Sequence, residues 1–228
     1  MSHGIGDKNY MTGSKGSADR FSYVFVTGPA FKDKLIKHNI PADKIFVVGW
    51  PKLDPIFQGE YERTKSDKIR VLYAPTHNAI QAVSSFPAFN QYLDKFPGDI
   101  EVINSPHPAR KQDHMPTMQP LVDADVVIAD AGSTIYEAWA LGKPVIFPDW
   151  LTRDGVLSKF NGAFEAMVYE NNLGFHAKNF NELLTMVDNA VGSGLDEQTQ
   201  NFIDGIFPPE LRGNSGKTAA DILRKLGG

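Results

Sequence analysis

The sequence predicts an α/β fold with a doubly wound parallel sheet. Short runs of β-branched and other apolar residues alternate with stretches whose apolar residues recur at helical spacing. Strands that alternate with helices pair in parallel through right-handed crossovers. Strands are predicted at 23–27, 44–48, 69–74, 100–104, 126–129, 145–147 and 173–176, and helices at 31–36, 86–96, 157–171, 180–191, 197–205 and 219–226. Ligands of such sheets bind outside the carboxyl ends of the strands.

The most informative stretch is residues 123–150, which predicts a strand, a turn, a helix and a second strand. The first strand stops at Asp130, and Gly132 permits the sharp turn that follows. Ser133 or Thr134 then caps the helix. Unpaired amides and the helix dipole make such a helix start attractive to a phosphate. An ordinary capped helix without a ligand is the alternative that this stretch alone leaves open.

The composition is that of an ordinary globular protein, with 42% hydrophobic and 22% charged residues among 228. A net charge of −4 argues against general nucleic-acid binding, so no nucleic-acid partner is expected. The absence of cysteine excludes disulfides, thiolate metal sites and cysteine nucleophiles. No apolar run approaches the roughly 18 residues that span a bilayer. We expect a cytoplasmic protein whose only membrane contact would be peripheral, at the inner face.

Residues suited to ligand binding follow several predicted strand ends, where they would share one rim of the sheet. They are Gly28, Gly49, Trp50, Thr76, His77, His107 and the segment 132–134. His107 lies between two prolines that hold its loop out of helical geometry. A histidine there is suited to donate to a phosphate or to shuttle a proton, and a hydrogen bond to backbone is the alternative.

Other candidates carry charge. His3 is a candidate base for an acceptor hydroxyl, and Arg110 and Lys8 are candidate phosphate ligands, although solvation at the surface is the more common fate of such cations. Glu137, one helical turn beyond the proposed phosphate position, is suited to accept from ribose hydroxyls. Asp130 points at the same crevice, or only caps its turn.

Several familiar patterns fail. Residues 213–218 resemble a phosphate loop, but the first glycine of the full pattern would fall at Leu211. A loop and N-cap for the last helix is therefore predicted there. The sequence has no dinucleotide-binding glycine fingerprint, no nucleophile elbow and no histidine spacing typical of a metal site. We expect neither a metal nor a resident cofactor.

Four sets of segments, in order, resemble one family. They are His3-Gly4, residues 71–76, His107-Pro108, and residues 130–134 with 143–146. In this order they resemble the CDP-glycerol glycerophosphotransferases of teichoic acid synthesis, which belong to the GT-B glycosyltransferase-like enzymes. The turn at 130–133 also resembles that of UDP-N-acetylglucosamine 2-epimerases, which share the architecture.

The resemblance implies that residues 23–228 form the Rossmann-like, donor-binding C-terminal domain of a GT-B enzyme. Residues 1–22 would then be a loop that carries the His-Gly motif. The family has an aromatic residue and two serines where residues 131–134 stand here. The family's acceptor domain normally precedes His3, so this chain is expected to be either a fragment of a longer protein or half of a split enzyme. In the second case, a second chain or a homo-oligomer is expected to supply the acceptor domain.

We therefore predict a transferase that moves glycerol phosphate, or a sugar, from a nucleotide-activated donor to a polymer or lipid-linked acceptor hydroxyl. The donor would be CDP-glycerol or a nucleotide sugar. The predicted site residues are His3 and His107 for catalysis, Gly132, Ser133, Thr134 and Arg110 for the donor phosphates, and Glu137, Thr76 and Asp130 for the nucleotide and ribose. An epimerase of the same fold and a non-catalytic nucleotide-binding half of a split enzyme remain open alternatives.

Overall fold

The computed structural model describes residues 5–13, 18–77, 83–105 and 118–227. The strands within these ranges are β1 (Val24–Val26), β2 (Ile45–Val47), β3 (Ile69–Ala74), β4 (Ile100–Asn104), β5 (Val126–Ala129), β6 (Val145–Pro148) and β7 (Phe175–Ala177). The helices are α1 (Pro29–Lys37), α2 (Asp54–Phe57), α3 (Met118–Asp123), α4 (Thr134–Ala140), α5 (Asp149–Lys159), α6 (Phe164–Glu170), α7 (Phe180–Ala190), α8 (Glu197–Ile206) and α9 (Ser215–Gly227). Short 3-10 turns occur at Ala18–Arg20, Ala42–Lys44, Pro51–Leu53, Ala88–Lys95 and Pro209–Leu211.

The described strands form two parallel sheets. The larger sheet has five strands in the order β4-β3-β5-β6-β7, and every neighbouring pair is parallel. This arrangement confirms the predicted α/β class. β1 and β2 pair only with each other, in a separate two-stranded parallel sheet. The strand pattern alone does not predict this separation, because it says nothing about which strand lies beside which.

The central strands β5 and β6 are buried at every position, which explains why they are continuous apolar runs. In β5, Val127 and Ala129 face one hydrophobic cluster, while Val126 and Ile128 face the other. Helix α4 packs into the first cluster through Ile135, Trp139 and neighbouring residues. Helix α7 and the turn Ala88–Lys95 pack into the second cluster. Helices on both faces leave the carboxyl ends of the strands as the place where loops gather.

Two predicted helices differ from the structure. The single helix predicted at 157–171 is two helices, α5 and α6, separated by a turn in which Gly162 has a φ of +74°. This left-handed conformation suits glycine and interrupts the helix, although the apolar spacing continues across the turn. The predicted helix at 86–96 is the 3-10 turn Ala88–Lys95. Within the described ranges, no helix combines the length and the apolar character that a membrane span requires.

Candidate functional site

Two of the predicted phosphate and nucleotide segments lie side by side at the carboxyl edge of the larger sheet. Thr76 follows β3, the segment 130–134 follows β5, and these two strands are neighbours. The Thr76 amide donates to Asp130 Oδ1 at 2.8 Å. A Cβ built on Gly132 would lie 3.8 Å from the Thr76 Cβ and 3.9 Å from its Oγ1. The parallel topology therefore brings these residues together as predicted.

The turn that starts α4 is accessible. Gly132, Ser133 and Thr134 are all partly exposed, whereas Ile135 and the rest of the helix are buried. Ser133 is the N-cap residue by position, but its side chain makes no capping hydrogen bond within its own helix. Its Oγ accepts instead from the Gly6 amide at 3.3 Å. Ser133 thus lies at the rim of the sheet and not in the core.

Three of the predicted residues, His3, His107 and Arg110, lie outside the described residues. Their catalytic and phosphate-binding roles stay predictions. Whether the two predicted catalytic histidines lie near the turn at 132–134 therefore also stays a prediction.

Asp130 is completely buried and holds two loops together. Its Oδ1 accepts from the amides of Thr76 and Ala131, at 2.8 and 2.7 Å. Its Oδ2 accepts from the amide and the hydroxyl of Ser85, at 2.8 and 3.0 Å. Because both oxygens are bonded and the residue is 0% exposed, a ribose could reach Asp130 only if this network rearranged. The arrangement matches the alternative of a turn-capping carboxylate, and the ribose role stays a prediction.

Glu137 is also buried, within α4. Its Oε1 accepts from Lys52 Nζ at 2.8 Å, and the lysine side chain is 46% exposed. Lys52 belongs to the 3-10 turn Pro51–Leu53, which follows β2. A ribose hydroxyl that donated to Glu137 would therefore lie beside the Lys52 ammonium.

The ends of β1 and β2 are used differently from the predicted common rim. A Cβ on Gly28 would lie 2.3 Å from the Ile206 carbonyl oxygen, at the end of α8. A Cβ on Gly49, whose φ is +85°, would lie 2.3 Å from Ser215 Oγ at the start of α9. Both glycines are therefore required for close packing of the smaller sheet against the C-terminal helices.

Reciprocal carboxylate–amide hydrogen bonds, called the clamp below, hold the N-terminal segment against the start of α6. The sequence did not predict this clamp. Glu165, in the first turn of α6, accepts from the amides of Asp7 and Lys8 at 2.9 and 2.8 Å. Asp7 in turn accepts from the Phe164 amide at 2.9 Å and pairs with Lys34. Burial raises the pKa of Glu165, and the nearby charge of Asp7 adds to the effect, against the backbone hydrogen bond from Lys8. No sequence signal links residues 158 positions apart.

The clamp brings Lys8 to the sheet edge. Lys8 Nζ donates to Thr76 Oγ1 at 3.0 Å and lies 5.7 Å from the centre of the Phe160 ring. Burial lowers the pKa of Lys8, while the carboxylates of Glu165 and Asp130 act in the opposite direction. The sequence suggested a solvated surface charge as its more common fate, and the structure gives it a half-buried position beside a predicted site residue.

Lys143, from the family-like segment 143–146, lies at the other edge of the sheet. Its Nζ donates to the carbonyls of Val122 and Ala124, at 3.1 and 2.8 Å, just before β5 begins. Burial lowers the pKa of Lys143. Its observed contacts secure the entry into β5 and are remote from the turn that starts α4.

Comparison with solved structures agrees with this architecture. The wall teichoic acid polymerase TagF matches with a TM-score of 0.58 at 16% identity, over 91% of this chain and 59% of the polymerase chain. A UDP-GlcNAc 2-epimerase from Neisseria meningitidis, in a structure bound to UDP-GlcNAc, matches with a TM-score of 0.53 at 15% identity, over 97% of this chain and 68% of its own. No protein-family model matches the chain, and no curated protein matches its sequence. At these identities the likeness establishes the fold alone, which is the Rossmann-like α/β fold of GT-B proteins.

Proposed function

We propose that the chain binds a nucleotide-activated donor at the carboxyl edge of its larger sheet and takes part in transfer of glycerol phosphate, or a sugar, to an acceptor hydroxyl. The observation that carries this proposal is the accessible turn Gly132, Ser133 and Thr134 beside Thr76. Two hydroxyls and a side-chain-free glycine at this place leave room for phosphoryl oxygens. The fold shared with a structure that holds UDP-GlcNAc supports a nucleotide ligand.

The proposed roles follow the charges that develop in the reaction. As the acceptor oxygen attacks, negative charge grows on the departing nucleotide phosphate, and fixed donors at the 132–134 turn would stabilise it. His107 and Arg110 would assist at the same phosphates, and His3 would take the acceptor proton. Glu137 would accept from the ribose. No metal takes part in the proposed step.

The epimerase alternative requires carboxylates that face the sugar. The central candidates from the sequence were Asp130 and Glu137. Asp130 has both oxygens bonded and no exposed surface, and Glu137 is paired with Lys52. Neither arrangement offers a ready base to the carbon that an epimerase deprotonates, so the transferase is the better supported proposal.

The acceptor is proposed to be a polymer or lipid-linked hydroxyl, held against a second wall from another polypeptide segment or a second copy of the chain. The chain spans 59% of the polymerase that it resembles in fold. The smaller sheet presents partly exposed aromatic residues on one face, Tyr23, Phe25 and Phe46, with Tyr23 49% exposed. Light scattering of the purified chain, with and without donor, would reveal a second copy.

Calorimetry with CDP-glycerol, UDP-GlcNAc and CMP tests the proposal. Binding of the cytidine compounds is expected, and preference for UDP-GlcNAc would favour the epimerase instead. The absence of nucleotide binding would refute the donor site. Release of CMP from CDP-glycerol in the presence of a lipid-linked glycerol phosphate acceptor then tests the transfer.

Histidine variants test the catalytic assignments. His107→Ala is expected to reduce turnover of the donor while the protein remains folded, and His3→Ala is expected to reduce transfer more than donor binding. Unchanged turnover in His107→Ala would remove this residue from the mechanism.

A further inference from the structure

Lys8 has a backbone conformation that residues other than glycine seldom adopt. Its φ is +42°, and that of Asn9 is +56°. For residues other than glycine the left-handed region costs about 1 kcal/mol or more. The conformation persists because the Glu165 carboxylate accepts from the amides of Asp7 and Lys8. Strain of this kind is found where a side chain must be aimed at a particular place.

The Lys8 side chain reaches Thr76, which borders the turn that starts α4. Its ammonium donates to Thr76 Oγ1 at 3.0 Å, and Thr76 in turn borders Gly132. Gly6, two residues before Lys8, donates its amide to Ser133 Oγ. The N-terminal segment therefore contacts the 132–134 turn through Gly6, and it contacts Thr76, which borders that turn, through the lysine amine.

The charge of this amine is only partly compensated. An ammonium has three donor hydrogens, and one described contact, the Thr76 hydroxyl, accepts from it. Among the ion pairs of the described residues, none includes Lys8. A partly desolvated cation with spare donors is a costly arrangement unless an anion completes it.

We propose that Lys8 is a phosphate-binding residue, whose ammonium donates to a phosphoryl oxygen of the donor held at the Thr76 and Gly132–Ser133–Thr134 surface, and that Glu165 is its positioning residue. This inference rests on the proposed function, because it assigns a cation to that same donor site. As the phosphate departs, the ammonium would offset its growing negative charge. No covalent bond to Lys8 forms.

The pH dependence of binding follows from the groups around the amine. Glu165 on α6 and Asp130 after β5 favour the ammonium, while burial and Lys159 at the end of α5 favour the neutral amine, and burial is the largest influence. The pKa of Lys8 is lowered as a result. Donor affinity should therefore fall as the pH rises through a value below that of an ordinary lysine.

The test compares Lys8→Met, Lys8→Arg and the exposed-site control Lys225→Met by calorimetry with CDP, pyrophosphate and cytidine. Lys225 lies in the last turn of α9 and is exposed. Loss of a charge-assisted hydrogen bond should weaken the binding of CDP and pyrophosphate to Lys8→Met by about 10- to 100-fold. Cytidine, which has no phosphate, should bind equally to all variants, and Lys225→Met should match the wild type.

The outcomes separate this inference from the proposed function. If the wild type binds pyrophosphate but no nucleotide, the proposed function fails. The phosphate role of Lys8 is then decided by whether Lys8→Met weakens pyrophosphate binding. If Lys8→Met binds CDP and pyrophosphate like the wild type, or if the wild type binds neither, the phosphate role of Lys8 is overturned.

A second readout does not depend on the stability of Lys8→Met. CDP affinity of the wild type should fall at alkaline pH, whereas Lys8→Arg, whose guanidinium stays charged, should keep its affinity over the same range. Parallel pH profiles for the two proteins would also overturn the inference.

Discussion

Two turns in this chain combine glycine and hydroxyl residues at the start of a helix, and they have opposite surroundings. The turn at 132–134 precedes α4, and the turn at 213–218 contains the start of α9. At the second turn, the Asp54 carboxylate accepts from the amides of Ser215 and Gly216, at 3.1 and 2.7 Å. At the first turn, a lysine ammonium lies nearby and the hydroxyl residues are partly exposed.

The protein itself supplies a carboxylate to the amides at the start of α9, whereas no side-chain cap is observed at the start of α4. Ser215 is completely buried, and its Oγ donates to the Leu211 carbonyl and accepts from the Trp50 amide. Asp54 neutralises the amides of the helix start, as a capping carboxylate does. The predicted loop and cap at 213–218 differ from the structure, because α9 already begins at Ser215 and its first amides are capped by Asp54, which belongs to α2. The predictions that follow test how far the two turns differ.

The largest expected effect is that of Gly49→Ala, which disturbs the packing against the second turn. A Cβ would lie 2.3 Å from Ser215 Oγ, on a residue with a φ of +85°. The free energy of unfolding should fall by about 3 to 5 kcal/mol, measured by urea denaturation. Gly59→Ala is the matched control, because its φ is +81° and nothing lies within 4 Å of its Cβ.

Gly59→Ala should lose about 1 kcal/mol, which is the backbone cost alone. Equal losses in the two variants would show that contact with Ser215 contributes nothing.

Asp54→Ala should be the next most destabilising change. It removes the acceptor of one buried and one partly buried amide, so the free energy of unfolding should fall by about 2 to 4 kcal/mol. Asp221 pairs with Arg224 on the exposed side of α9. Asp221→Ala should therefore change the free energy of unfolding by less than about 0.5 kcal/mol. CDP binding by folded Asp54→Ala should match the wild type. A large loss of affinity would instead place the second turn in the donor site.

The two serines offer the most direct comparison. Ser215→Ala should lower the free energy of unfolding by about 1 to 2 kcal/mol, because the partly buried Trp50 amide loses its acceptor. Ser133→Ala should lower it by about 0.5 kcal/mol or less, since its one described hydrogen bond is 3.3 Å long. The order should reverse for CDP affinity, which calorimetry would measure as weakened only in Ser133→Ala. If Ser215→Ala had the larger effect on both stability and CDP affinity, the proposed difference between the two turns would be wrong.

The last prediction concerns Glu165→Gln, whose effect should be seen as a change in the pH dependence of stability. The folded pKa of Glu165 is raised above 4.5, so its contribution to stability is fully present below the unfolded pKa and is lost as the pH rises through the folded pKa. Glutamine does not titrate. The stability of the wild type relative to Glu165→Gln should therefore fall as the pH rises through this window, seen in denaturation at a series of pH values. A constant difference would refute the raised pKa.

The strands of the larger sheet were predictable because burial on both faces leaves a plain signal. The predicted strands at 69–74, 100–104 and 126–129 coincide with β3, β4 and β5. A parallel strand covered by helices on both sides is mostly apolar, as β5 is at every position, so its limits are visible in the sequence. The break between α5 and α6 was not predicted, because apolar spacing continued across the turn at Gly162.

The site was predictable only where strand order brings strand ends together. Thr76 and the 132–134 turn follow adjacent parallel strands, and the sequence contains both the strands and the turn residues. The sequence could not show that Glu165 holds the amides of Asp7 and Lys8, or that Asp54 occupies the start of α9. Such contacts join residues more than 150 positions apart.

The sequence by itself determined the α/β class, the main strands and the residues that terminate them, because burial and turn chemistry act over a few neighbouring residues. Only the tertiary structure decided which helix start is filled by a carboxylate and which faces a lysine. It also decided that the first two strands form a sheet of their own. The physical reason is that electrostatic and packing partners are chosen by distance in space, which local sequence patterns do not encode.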